Sequence, residues 1–191
     1  MRISFCLLLI FSLSHFLFAQ EKRDYVWTIG DNTNSGILHP DFGGVNLNFS
    51  SDSLEILRVD RIEKSFGSNS SSISNKAGEL LFYTGGCFVV GKDDEIIENG
   101  DIINEGEFRD RCTQGRSYIS GNASTLFLPK PDNENEYYLI HQRVDAIGSA
   151  ASATLLYSII SEETNNGLGG VTEINIPIPV SYTHLTLPTK A

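Results

Sequence analysis

The chain has 191 residues, 40% of them hydrophobic and 20% charged, with 24 acidic against 14 basic side chains and a formal charge of −10. That length suits one domain or a few small repeats. The acid surplus disfavours nucleic acid and anionic lipid as partners and identifies no partner by itself.

Arg2 and the apolar run ISFCLLLIFSLSHFLFA, closed by Ala19, read as a secretory signal over residues 1–19. A buried N-terminal strand or an uncleaved anchor is the alternative. The run is short for a membrane span and His15 interrupts it. Cys6 has only ISF between it and Arg2, too little apolar chain to precede a lipidated cysteine. No later stretch is long enough to cross a bilayer, so no membrane insertion is expected after signal removal. Losing residues 1–19 takes Arg2 and no acid, which leaves 13 basic and 24 acidic residues and a charge of −11. Cys87 and Cys112 remain, 25 residues apart. In an oxidising compartment such a pair is expected to form a disulfide, with two free core thiols as the alternative. No CxxC or HxxxH accompanies them to suggest zinc.

Strands and turns follow. YVWTIG alternates and places Tyr25, Trp27 and Ile29 on one face; VNLNF does the same for Val45, Leu47 and Phe49. LEILRV is too short to decide between a helical turn and a strand. SIS, the turn Asn75-Lys76-Ala77-Gly78 and ELLFYT form a hairpin, with Gly78 available for positive φ. CFVVG and EIIEN pair around Lys92-Asp93-Asp94. NASTLFLPKPDNENEYYLIHQR and ATLLYSIISEETNNGLGGVTEINI are two further strand–turn–strand units. From Ser72 to Ser124 is 52 residues and from Leu80 to Tyr137 is 57, a spacing that suits propeller blades or a stack of meandering sheets. No window shows a 3.6-residue apolar period, so helix content should be low. The expected fold is all-β: a partial β-propeller of about two to three four-stranded blades over residues 20–179, with a β-sandwich as the alternative. VSYTHLTLPTKA, residues 180–191, lacks the acids of the preceding chain. It resembles translated adapter sequence, which makes it a non-native tail on a truncated piece; a final strand, SYTHLTL, is the other reading. A truncated propeller would expose sheet edges and part of its core.

Taken in order, WTIGDN, GGVNLNF, SISNKAGELLFYTGGCFVV, IIENGDIIN, STLFLPKPDNENEYYLIH, LLYSII and GLGGVTEIN resemble the N-terminal region of large secreted proteins of gliding, Bacteroidetes-type bacteria, often exported by the type IX system. The likeness spans about residues 25–176. It implies a β-propeller followed by further domains of the same full-length protein, and carries no catalytic residues. Pro131-Asp132 stands where the pattern often has Pro-Gly, which affects only local turn geometry.

Asp93, Asp94, Glu95, Glu98 and Asp101 are the densest acids. They lack the D-x-[DN]-x-[DN]-G order of a calcium loop and enclose Ile96 and Ile97, so an acidic turn followed by an Asn99-Gly100 turn is the better reading. Asp93 or Glu98 is a candidate acid for a glycosidase, which needs two carboxyls across a cleft. His39, His141 and His184 are scattered, and His141 at a strand end is expected to close a hydrogen bond. Ser117 and Ser120 lack a G-x-S-x-G setting. Arg109, Arg111, Arg116 and Arg143 are available to pair with surface acids. Trp27, Phe82 and Tyr138 are the expected core aromatics; Tyr25, Tyr83 and Tyr137 complete a set able to stack on sugars. No catalytic, cofactor-binding or metal residue is assigned, and no cofactor. The expectation is a secreted, non-enzymatic module contacting a cell-surface protein or polysaccharide. The alternative is a glycan-active propeller enzyme completed by further blades.

Overall fold

The computed structural model describes residues 21–30, 44–51, 53–59, 70–110, 124–144 and 153–179. They form three antiparallel meanders. Sheet 1 holds β1 (Val26–Gly30), β2 (Gly44–Asn48) and β3 (Glu55–Val59) in the order β1-β2-β3. Sheet 2 holds β4 (Ser71–Ser74), β5 (Leu80–Thr84) and β6 (Val89–Gly91) in the order β4-β5-β6. Sheet 3 holds β7 (Thr125–Lys130), β8 (Asn133–Val144), β9 (Ala153–Ser161) and β10 (Gly170–Pro177) in the order β10-β9-β8-β7. Two four-residue helical turns, α1 (Glu107–Asp110) and α2 (Thr164–Gly167), are the only helices among the described residues. The all-β expectation therefore holds, and LEILRV resolves as a strand.

Local chemistry explains the turns. The Asn75 side-chain oxygen accepts the N–H groups of Ala77 and Glu79 at 2.9 and 3.0 Å, and Gly78 has φ +94°, so the β4–β5 hairpin closes where expected. Gly91 donates to Glu95 O at 2.9 Å around Lys92–Asp94, with Asp94 at φ 65°. EIIEN does not become a strand there: it contributes two isolated bridges, Ile96 to Val90 and Glu98 to Gly170. The chain then turns at Asn99 (φ 57°) and Gly100, whose N–H donates to Ile97 O at 2.8 Å. A Cβ on Gly100 would lie 2.6 Å from Val89 O, closer than any side chain tolerates.

Sheets 2 and 3 share the main core. Ile73, Phe82, Val89 and Ile97 pack with Phe127, Tyr137, Leu139 and Ile160. Phe82 meets Tyr137 edge-on with ring centroids 5.9 Å apart. The first strands of all three sheets are neighbours, with β4 between β1 and β7, and serines occupy the joints. Ser72 Oγ accepts the Thr28 N–H at 3.2 Å and donates to Val26 O at 2.9 Å, while Ser74 Oγ accepts the Val26 N–H at 3.3 Å. Ser71, one residue out of phase, accepts the Phe127 N–H at 3.3 Å on the other side. The unpaired backbone edges of β1 and β7 are thus met by hydroxyls of β4, which a strand of larger side chains could not do at this separation.

Two expected core residues are placed differently. In β1 the alternation is present but its phase is opposite: Val26 and Thr28 are buried, and Trp27 is 50% exposed. Trp27 lies against Phe49, centroids 5.5 Å apart, and its indole N–H donates to Asp24 O at 2.8 Å. In β8 it is Tyr137 that is buried, whereas Tyr138 is half-buried on the opposite face beside Tyr157. Phe82 is core, as expected. The disulfide expectation is also corrected. No disulfide is seen between described residues, because Cys87 is the single cysteine among them and Cys112 lies outside. Cys87 is buried with Val144 and Phe88, and it is engaged there.

Candidate functional site

Two polar constellations stand out, one sealed and one open. The sealed one joins sheets 2 and 3. His141, fully buried on β8, places Nδ1 2.6 Å from Asn104 Oδ1 and Nε2 2.9 Å from Ser158 Oγ. The Asn104 amide nitrogen donates to Gly86 O at 3.0 Å, which orients its oxygen toward the ring. Nδ1 therefore carries the proton and Nε2 accepts from the Ser158 hydroxyl. Ser158 Oγ also accepts the Asn175 N–H at 3.0 Å, and the Asn175 side chain reaches back to Ile102 O at 3.1 Å and the Asn104 N–H at 3.0 Å. Asn104 and Asn175 both have positive φ, 53° and 56°, and Asn175 sits in a register shift of β10 that aims it at the loop. Burial holds the His141 imidazole down at about pH 4, so the ring is neutral.

Serine, histidine and asparagine stand here in the order of a nucleophilic relay. Ser158, His141 and Asn104 are all buried, and neither of the two cavities at the turn ends of sheets 2 and 3 is lined by them. The network is a satisfied polar joint. His141 closes hydrogen bonds, as its strand-end position suggested.

The open constellation lies at the turn ends of sheets 2 and 3. A cavity of about 250 Å3 runs between the Asn75–Ala77 turn and Glu134–Asn135, floored by Tyr137 and Glu162. A second, of about 170 Å3, is lined by Leu81, Phe82, Lys92, Gly167, Leu168 and again Glu162. Glu162 is common to both. Its N–H donates to Asn135 O at 3.0 Å, which fixes the residue at the rim. Burial raises its carboxyl pKa and Glu163 adds to this, while Arg23 and Lys92 oppose it. Arg23 donates to the Tyr137 hydroxyl at 2.9 Å and to Glu21 at 2.5 Å. The Tyr137 phenol is raised chiefly by burial. Lys76 bridges Glu21, at 3.5 Å, and Glu134, and its pKa is raised chiefly by the Glu134 hydrogen bond.

This arrangement presents donors, acceptors and one aromatic in alternating charge. It suits a polar, extended ligand. Glu21 and Glu134 are committed to Lys76 and Arg23, so Glu162 has no second unpaired carboxylate lining these cavities to act opposite it.

Asp93 and Glu98 are not in this groove. Asp93 is an exposed turn residue whose carboxylate accepts the Glu95 N–H at 3.2 Å. Glu98 is exposed, and its backbone pairs with sheet 3, accepting the Val171 N–H at 2.8 Å. The acidic stretch is thus a strap: it leaves sheet 2 at the Lys92–Asp94 turn and docks on β10 through Glu98, Asn99 and Asn104. Among the described residues no group of three or more His, Cys, Asp or Glu is placed to hold a metal ion. Arg109 donates to Asp101 O and lies over the Phe88 ring rather than pairing with a carboxylate there. His39, Arg111, Cys112, Arg116, Ser117, Ser120 and His184 lie outside the described residues. Among the described residues no helix is long and apolar enough to cross a membrane.

No family model, curated protein or solved structure matches the chain. No match therefore bears on the resemblance to Bacteroidetes-type secreted proteins. Sequence reasoning missed Glu162 within the polar turn SEET and missed Asn104, Ser158 and Asn175. Their grouping joins positions 17 to 71 residues apart, which no local pattern encodes.

Proposed function

We propose that the chain is an exported, non-catalytic contact module whose meanders are successive blades of a β-propeller-like stack, and that it holds a polar chain, glycan or protein, in the groove at Glu162. The radial reading is supported by one observation above others: β1, β4 and β7, the first strands of their sheets, lie side by side and are joined through β4 hydroxyls. Such an order brings the turn ends of neighbouring sheets together, and loop-built grooves there suit recognition. Export is supported by the basic-then-apolar N-terminus. The binding reading is supported by ion pairs that occupy the groove's other acids.

The raised carboxyl of Glu162 favours one second reading, a glycan-active enzyme in which it serves as general acid. Retention of the full chain on immobilised polysaccharides and cell-surface protein extracts, alongside a reducing-sugar assay, separates the two. Binding that weakens in Glu162→Gln without any turnover supports the contact module. Turnover that disappears in Glu162→Gln, Asp93→Asn or Glu98→Gln with the fold intact replaces it with the enzyme.

A further inference from the structure

The sequence holds two Asn-Gly pairs, Asn99–Gly100 and Asn166–Gly167, and the fold treats them differently. An asparagine followed by glycine is prone to close on itself, because glycine has no Cβ to shield its backbone nitrogen or to hinder the ring. Asn99 is held in the strap. Its side-chain nitrogen donates to Val171 O at 3.3 Å, the Gly100 N–H donates to Ile97 O at 2.8 Å, and Gly100 O accepts the Val89 N–H at 2.9 Å. Gly100 is buried. Its nitrogen can reach the Asn99 side chain only after the strap has left β6 and β10.

Asn166 stands in the opposite setting. It is exposed in α2, the turn between β9 and β10, and a Cβ built on Gly167 would meet nothing within 4 Å. Asn165 and Asn166 both take left-handed backbone, φ 50° and 56°, and Gly167 follows at φ 84°. Consecutive left-handed residues other than glycine are strained, so this turn opens at low cost. Its two ends are pinned. Thr164 Oγ1 donates to Ser161 O at 2.9 Å, and a Cβ on Gly169 would lie 2.5 Å from the Phe82 ring. Any lengthening of the chain between them is taken up by residues 165–168, which include Gly167 and Leu168 of the cavity lined by Lys92 and Glu162.

We propose that Asn166 is a site of spontaneous modification, converted through a cyclic imide to isoaspartate and aspartate, while Asn99 is spared. The Gly167 backbone nitrogen attacks Asn166 Cγ. That N–C bond forms, the Cγ–Nδ2 bond breaks, and ammonia leaves with the proton that Gly167 gives up through water. A water molecule then opens the imide. Cleavage between the Gly167 nitrogen and the Asn166 backbone carbonyl carbon gives isoaspartate, in which the main chain runs through the side chain. Cleavage of the new bond to Cγ gives aspartate. The steps consume only water. Either product places a carboxylate next to Glu163 in the sequence, and isoaspartate also adds a methylene between the pinned ends, which displaces Gly167 and Leu168 from the cavity wall. The modification is independent of what the Glu162 groove holds.

Peptide mapping of the full chain after incubation in warm, mildly alkaline buffer tests this, beside a sample unfolded in guanidinium chloride. Mass spectrometry reads the change from amide to acid, and electron-transfer fragmentation separates isoaspartate from aspartate. In the native chain Asn166 should convert roughly tenfold or more faster than Asn99, since the strap must first open sub-globally. Isoaspartate should be the larger product, and the two rates should converge in guanidinium. Asn166→Gln should abolish conversion at that position and leave Asn99 unchanged. The converted chain should keep the parent's melting midpoint, with amide NMR shifts confined to residues 162–169. An Asn166 that stays intact in the native chain but converts in guanidinium overturns the proposal, because the fold would then protect it. So does native Asn99 converting as fast as Asn166, or a converted chain that loses its fold.

Discussion

The joint between sheets 2 and 3 and the joint between sheets 1 and 2 use the same kind of strand and hold it by different means. The first is a packed apolar core with a sealed polar network through it. The second is carried largely by serine hydroxyls on the backbone edge of β1, while Trp27 and Ile56 remain open. Burial of apolar surface contributes roughly 25 cal/mol per Å2, and a hydrogen bond contributes about 1 kcal/mol net. The lesson is that two meanders with equally clear alternation differ in stability because only one has a full apolar partner face. Sheets 2 and 3 should therefore set global stability, and sheet 1 should open locally.

The sharpest way to break this contrast is a pair of truncations. Leu139→Ala, at a fully buried position in the core, should destabilise the fold by about 2–5 kcal/mol in urea unfolding. Trp27→Ala should cost well under half as much, despite removing a larger side chain. Equal losses would mean that sheet 1 is as tightly integrated as sheet 3.

The next effect depends on pH. Native His141 titrates at about 4, whereas the unfolded ring titrates near its ordinary value of 6.5. The unfolded state thus takes up the proton first. The stability held by the neutral ring is complete above pH 6.5 and is lost as pH falls toward 4, by roughly 3 kcal/mol at 1.36 kcal/mol per unit. Unfolding midpoints measured across that window should slope accordingly, and the slope should flatten in His141→Gln.

Gly100→Ala comes third. Its methyl would press on Val89 O and shift the strap off β10, at a cost of about 1–3 kcal/mol by thermal unfolding. The smallest effect separates the two sides of β4. Ser72→Ala should cost about 1 kcal/mol and increase amide exchange at Thr28, and Ser71→Ala should do the same at Phe127. Exchange that changes on both sides in either variant would mean that β4 moves as one unit.

These contrasts also explain how much was legible in the sequence. Turns at Asn75–Gly78 and Asn99–Gly100 were readable because a side-chain oxygen or a missing Cβ acts within a few residues. Alternation located the strands but not their covered face. Tyr137 and Tyr138 are adjacent aromatics, and only the position of sheet 2 decides which is buried. Trp27 was misplaced for the same reason: the serine strand presents hydroxyls to the β1 edge, and nothing in YVWTIG reports that. The Glu162 groove and the Asn104–His141–Ser158 joint were hidden because each is assembled from several turns or strands, and their members look like ordinary loop polar residues one at a time.

Native-state hydrogen exchange on the full chain tests the central claim most directly. The amides of Leu139 and Ile160 should exchange only through global unfolding, while those of Leu47 and Ile56 exchange through an opening of far lower free energy. Equal protection in sheets 1 and 3 would contradict the account, since it would require sheet 1 to be locked into the same cooperative core.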